Sequence, residues 1–295
     1  MSSGTALPHN PLNELLDAVG NDALLLQARY EEHRIERNAQ QAAIMTSPSF
    51  PGVTVDTILQ KLIDHTLSPP YLDERNAGSL WARPPRHILD LLGSIQHELS
   101  AFAPRLWLMP LDHVHLSLVE LGHHMTVEAN LALIAHIEHH LPDLISYARL
   151  HPTRLYRPTI SCDTGSLVLK FLPMAETKDD YTYHHLRRDI FDRVSETGLV
   201  MKPRYVVPSA HLTVARFIDN VDFETDGHTD ENKMKEWWGL IDRINARLER
   251  ELDSRHGGQD EDGMWLVEKV ECRYGAQWYG GGQSWHPSTT SLQTA

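Results

Sequence analysis

Histidine followed two positions later by serine or threonine occurs five times in this chain, at His115, His124, His151, His211 and His286. Two of the five sit in segments that alternate as a strand does. In Val114-His115-Leu116-Ser117-Leu118 the imidazole and the hydroxyl share one face while Val114, Leu116 and Leu118 share the other, because successive strand side chains point to opposite faces. Ala210-His211-Leu212-Thr213-Val214 repeats that arrangement nearly residue for residue. The other three lack it: Pro152 follows His151 and removes a ladder donor, Thr126 after His124 reads as a helix N-cap, and His286 lies in a polar stretch. Two facing imidazoles, each with a hydroxyl on its own strand face, suit phosphodiester cleavage. One takes the proton of the attacking water and the other protonates the departing oxygen, and histidine serves either role near neutral pH. Ser117 and Thr213 then hydrogen-bond the non-bridging phosphate oxygens. The scheme calls for no metal and no cofactor, so activity is expected to survive a chelator.

Such strands need a scaffold, and the rest of the sequence reads as α+β. Strand-like runs fall at Ser79 to Ala82, Leu106 to Met109, His113 to Leu121, Thr159 to Cys162, Leu167 to Leu172, His211 to Phe217 and Trp265 to Val270. Helical stretches separate them at Pro84 to Ala101, Thr126 to His140, Tyr181 to Thr197 and Glu231 to Leu252. Strand pairs and helices thus alternate twice, which implies two lobes of similar build. Ahead of them, residues 1–74 read as a helical extension, with helices starting at Asn10-Pro11, running from Asn21 to Met45, and from Val55 to His65. Residues 75–282 form the expected two-lobed domain and residues 283–295 a mobile tail.

Further side chains carry weaker signals. Trp81 reads as a core tryptophan of the first strand rather than a platform for a base, and Lys170 as a solvated strand-end lysine. Strand parity points Arg216 to the face opposite His211 unless a bulge intervenes. Trp278-Tyr279-Gly280-Gly281-Gly282 reads either as a flap over the site or as a fraying strand end. The histidine pairs 123–124, 139–140 and 184–185 read as helix-end or surface positions, and Cys162 and Cys272 as buried free thiols.

The composition narrows the partners. Forty acidic against 27 basic side chains, a net charge of −13, argue against duplex DNA, which proteins grip through lysine and arginine. A small nucleotide fits better. No apolar run approaches the roughly 20 residues of a membrane span, and the amino terminus has no signal-peptide pattern. The expectation is a monomer in the cytoplasm or nucleus.

His115-Leu116-Ser117-Leu118 and Pro208-Ser209-Ala210-His211-Leu212-Thr213-Val214, with Ser79-Leu80-Trp81-Ala82 and Pro84-Pro85 ahead of a helix, resemble the two-histidine (2H) phosphoesterase superfamily. That superfamily includes 2′,3′-cyclic nucleotide phosphodiesterases and 2′-5′ RNA ligase-like proteins. The resemblance covers residues 75 to 280 and implies a bilobal, pseudo-symmetric fold with both motifs facing a central cleft, antiparallel sheets lining it and helices outside. It implies His115 and His211 as the catalytic pair, Ser117 and Thr213 as substrate-binding hydroxyls, and a 2′,3′-cyclic phosphate on a nucleotide or RNA end as substrate. A non-catalytic nucleotide-binding or protein-interaction module, and a 2′-5′ RNA ligase, are the alternatives. Serine stands at position 117 where threonine is more usual, which keeps the hydroxyl and frees its rotamer. The long helical extension is not part of the minimal fold.

Overall fold

The computed structural model describes residues 9–201, 207–253 and 263–287. From the amino terminus the chain forms α1 (Asn13–Ala18), α2 (Ala23–Met45), α3 (Thr57–Ile63), β1 (Asn76–Ala82), α4 (Arg86–Phe102), β2 (Trp107–Leu108), β3 (Leu116–Met125), α5 (Val127–Ile137) and α6 (Leu141–Leu150). It continues with β4 (Thr153–Cys162), β5 (Ser166–Pro173), α7 (Tyr183–Glu196), β6 (Ala210–Arg216), the short hairpin of β7 (Glu224–Thr225) and β8 (His228–Thr229), and α8 (Glu231–Asp253). The last strands are β9 (Trp265–Val267), β10 (Val270–Gly275) and β11 (Gln283–Ser284).

The fold is α+β, with antiparallel pairing between neighbouring strands. One sheet has the order β11-β10-β1-β3, the other β2-β6-β5-β4-β9. The chain passes repeatedly between them: β2 joins the second sheet between two strands of the first, and the expected strand from Trp265 to Val270 is split into β9 in the second and β10 in the first. Apolar faces of both sheets meet helices in a continuous core that includes the fully buried Trp81, Trp237 and Trp265. Cys162 and Cys272 are buried and free, and burial pushes the Cys272 thiol up to about 12. Among the described residues no helix is long and apolar enough to cross a membrane.

Local chemistry moves several boundaries. Asn10 caps the turn that leads into α1 rather than the helix itself: its Oδ1 accepts from Leu12 N at 3.0 Å, its amide donates to Arg188 O at 3.0 Å and Asp192 Oδ1 at 2.8 Å, and α1 begins at Asn13. Asp22 caps α2, its Oδ1 accepting from the amides of Leu24 and Leu25 at 2.9 and 3.1 Å. Asp22→Ala is expected to cost about 1 kcal/mol, read as a lower urea midpoint at unchanged slope. The expected helix from Thr126 to His140 stops at Ile137, and α6 follows with Pro142 in its first turn, the position proline tolerates best. The expected tail opens later than residue 283, because Gln283 and Ser284 pair with Tyr274 and Arg273 of β10; residues 288–295 lie outside the described residues.

Helix α2 is tied to the second sheet by polar contacts along its length. Gln27 Oε1 accepts from Ala175 N at 2.8 Å, the buried Arg34 donates to Arg157 O at 2.6 Å, and Asn38 donates to Ile160 O at 3.0 Å. His184 and His185, expected at a helix end or a surface, stand in the first turn of α7 but are buried. His184 Nε2 donates to Leu12 O and its Nδ1 accepts from the Tyr30 hydroxyl, both at 2.8 Å. It thus pins α1 and α2 to α7 as a neutral imidazole, its pKa lowered to about 4 by burial.

Candidate active site

The two sheets and α2 enclose a cleft of about 910 Å³. His115, Ser117, His211 and Thr213 all line it. His115 immediately precedes β3, the edge strand of the first sheet, and His211 lies on β6 of the second. In both motifs burial alternates: His115, Ser117, His211 and Thr213 are half-buried, while Leu116, Leu118, Leu212 and Val214 are buried in the core. Alternation is what makes the placement robust, since slipping either strand by one residue would bury its polar pair.

Neighbouring strands complete the walls. On β1, Trp81 pairs in register with Ser117, and its indole stacks on the His115 imidazole with ring centroids 3.5 Å apart and planes 8° from parallel. Trp81 is buried to 1% exposure, so it is the core residue the sequence implied, but one face of it holds a histidine. On β5, Lys170 pairs with His211, Val168 with Thr213 and Ser166 with Arg216, and all six line the cleft.

The two imidazoles are held differently. His115 Nδ1 lies 2.9 Å from His113 O, and a carbonyl only accepts, so Nδ1 carries the proton and the neutral ring keeps its lone pair on Nε2. His211 Nδ1 lies 3.0 Å from the Ser209 hydroxyl, which either donates or accepts. Burial lowers the pKa of His115 to about 3, opposed by the bond to His113 and reinforced by the charges of Arg83 and His211. Burial likewise lowers His211 to about 4, with Lys170 and Arg187 adding to the effect. Both rings are therefore neutral at pH 7 in the unliganded protein.

Two cleft residues escaped the sequence reading. Lys170, expected to be solvated, is 9% exposed and its pKa falls to about 8, chiefly through burial and then through the charge of Arg37. Arg216 was expected on the opposite face. A bulge at Val214 makes Leu167 pair with Ala215 but Val168 with Thr213, which leaves Val214 and Ala215 both buried and returns Arg216 to the face of His211. The bulged residue's carbonyl accepts from Met109 N and from the buried Gln96 side chain, both at 3.0 Å. No local signal in β6 announces that bulge; its support comes from Gln96 on α4 and from Met109 just after β2.

The Trp278–Gly282 segment is not a frayed end, and of the expected flap over the site Trp278 does line the cleft. The segment is the turn between β10 and β11, with Arg273 Nη2 donating to the carbonyls of Gly280 and Gly282 at 3.4 and 3.0 Å and also to that of Gly281. Gly280 has φ +79° and packs against His113, where a Cβ would lie 2.4 Å from the His113 side chain, so only glycine fits. Among the described residues no group of three or more His, Cys, Asp and Glu side chains is arranged to hold a metal ion.

No protein-family model matches this chain, and no curated protein matches it. The crystal structure of a conserved protein of unknown function, ATU0111 from Agrobacterium tumefaciens, aligns with a TM-score of 0.51 at 8% identity, over 83% of this chain and 97% of that one. The likeness is one of fold. The structure of Usb1 from Kluyveromyces marxianus aligns with a TM-score of 0.33 at 8% identity, over 68% of this chain and 94% of that one.

Proposed function

We propose that this chain is a phosphodiesterase of the two-histidine type that opens a small phosphodiester, most specifically the 2′,3′-cyclic phosphate of a nucleotide or RNA end, to a monoester. The observation that carries the reading is that two His-x-Ser/Thr segments, on different sheets, face one cleft with a hydroxyl beside each ring.

In this reading His115 is the base. Its Nε2 lone pair takes a proton from water as the water oxygen bonds to phosphorus. His211 is the acid: its Nε2–H passes to the departing ribose oxygen as the P–O bond breaks, while Ser209 steadies Nδ1. Ser117 and Thr213 donate to the non-bridging oxygens, and Arg216 adds positive charge beside Thr213. Proton exchange with solvent restores both rings.

The lowered imidazole pKa values bear directly on this scheme. His115 is ready as a base at pH 7, but His211 needs a proton it does not hold in the empty cleft. An anionic phosphodiester supplies the missing incentive, since a nearby negative charge favours the protonated ring and raises its pKa. Two outcomes are expected. kcat/KM, which reports the free enzyme, climbs as pH falls from 7 toward 5, whereas kcat, which reports the complex, peaks nearer neutrality. In an NMR titration, adding uridine 2′-monophosphate raises the pKa of at least one of the two histidines. A ligand that binds without moving either ring would sink the acid–base assignment.

The function itself is tested by incubating the protein, with EDTA present, with 2′,3′-cyclic nucleotides and with 2′-5′ and 3′-5′ oligonucleotides, and following products by phosphorus NMR. Conversion of the cyclic phosphate to a 2′- or 3′-monoester is expected. Binding without turnover would identify a binding module instead, and loss of activity in EDTA restored by zinc would identify a metal hydrolase.

A further inference from the structure

Lys170 is a largely buried ammonium whose burial the charge of Asp163 offsets only in part. It is 9% exposed, and among the described residues no hydrogen bond or ion pair reaches it. Leaving a cation so placed is costly unless an opposite charge joins it. Its strand face is fixed: Ser166, Val168 and Lys170 line the cleft while Leu167 and Leu169 are buried in the core behind them. The charge of Asp163, which also lines the cleft, favours the ammonium, but no ion pair joins the two among the described residues, and its Oδ1 accepts from the amides of Gly165 and Ser166 at 2.9 Å and from the Ser166 hydroxyl at 3.3 Å.

The wall across from Lys170 belongs to α2. His33 and Arg37, one helical turn apart, line the cleft together with Glu36 and Gln40. Arg37 is exposed and donates to Gln40 Oε1 at 3.1 Å, while Glu36 is the single carboxylate among these four and is also exposed. His33 loses basicity through burial and then through the charges of Lys170 and Arg37, and Lys170 through burial and then through the charge of Arg37, so the three groups share one field. Because α2 is anchored by Gln27, Arg34 and Asn38, this wall is a fixed part of the cleft. A protein with a net charge of −13 thus concentrates cations at one place, in a cleft of about 910 Å³, near the upper end of the roughly 300–1,000 Å³ range of small-ligand pockets.

We propose that Lys170, Arg37 and His33 form a second anion site that takes a phosphate flanking the one cleaved. The inference rests on the hydrolytic reading above and narrows its substrate class. The substrate would be a nucleotide carrying a further phosphate, as the last residue of an RNA chain ending in a cyclic phosphate does through its 5′ oxygen, rather than a nucleoside with a single cyclic phosphate.

Calorimetry with two non-hydrolysable probes tests it: adenosine 2′-monophosphate and adenosine 2′,5′-bisphosphate, which differ only in the flanking phosphate. The wild-type protein is expected to bind the bisphosphate about 10- to 100-fold more tightly, the gain of one or two charge-assisted hydrogen bonds. In Lys170→Met and in Arg37→Met that ratio is expected to fall toward one. Arg37 is exposed, so the second variant keeps the test sound if removing the buried lysine disturbs folding. A wild-type ratio near one overturns the proposal, and so does a ratio unchanged in both variants, which would mean that these cations serve the scissile phosphate or none. The two readings fail separately. Turnover of a cyclic nucleotide with a ratio near one removes the second site alone, and a high ratio without turnover removes the hydrolase and leaves the site standing.

Discussion

His115→Ala and His211→Ala are each expected to lower kcat/KM for a 2′,3′-cyclic nucleotide by about 10²- to 10⁴-fold, the usual contribution of one positioned proton donor or acceptor. The double variant should fall little below the worse single one, because an acid and a base that act in the same step are not additive. Structure should survive, since both rings are half-buried at the cleft surface rather than packed in the core, and circular dichroism with thermal unfolding checks this. Retention of more than about a tenth of wild-type activity by either variant would be incompatible with its proposed role in proton transfer.

The second large effect is on stability. Trp81 is 1% exposed, flanked by Ser117 and Glu271 on the adjoining strands, and stacked on His115. Trp81→Ala removes most of that volume from the first sheet and should destabilise the fold by about 3–5 kcal/mol, as large-to-small core changes do. Urea titration measures it. Catalysis should also suffer, because the His115 ring loses the plane that fixes its orientation. Trp81→Phe keeps an aromatic face and should recover part of both losses. If alanine at position 81 lowered stability but left kcat unchanged, the stack would be a packing contact only.

How much of this was legible in the sequence depends on whether the controlling interaction was local. Period-two alternation around His115 and His211 placed both motifs on the correct faces, because strand geometry alone decides that. The start of α2, expected at Asn21, falls two residues later behind its cap Asp22. Arg216 was misread because the bulge that turns it is supported by Gln96 and Met109, more than a hundred positions away. Lys170 was misread for a related reason: a lysine near a strand end is ordinarily solvated, and nothing near it in sequence says that α2 will cover that face. His184 and His185 looked like surface histidines until Leu12, Asn21 and Tyr30 supplied their partners. In each case the deciding contact was made by a distant part of the chain.

The order of strands has a consequence for biosynthesis. Sheet β11-β10-β1-β3 joins residues near 80 to residues beyond 270, while His211 sits in the other sheet. During translation the strand that follows His115 can meet β1 early, but that sheet stays half-built until β10 has cleared the ribosome. Polypeptides interrupted before that point carry both histidines yet expose an unpaired edge of β1, a template for adhesion to other nascent chains. Competence thus waits for the strands beyond residue 270, and splitting the gene between the two motifs is expected to yield fragments that do not fold apart.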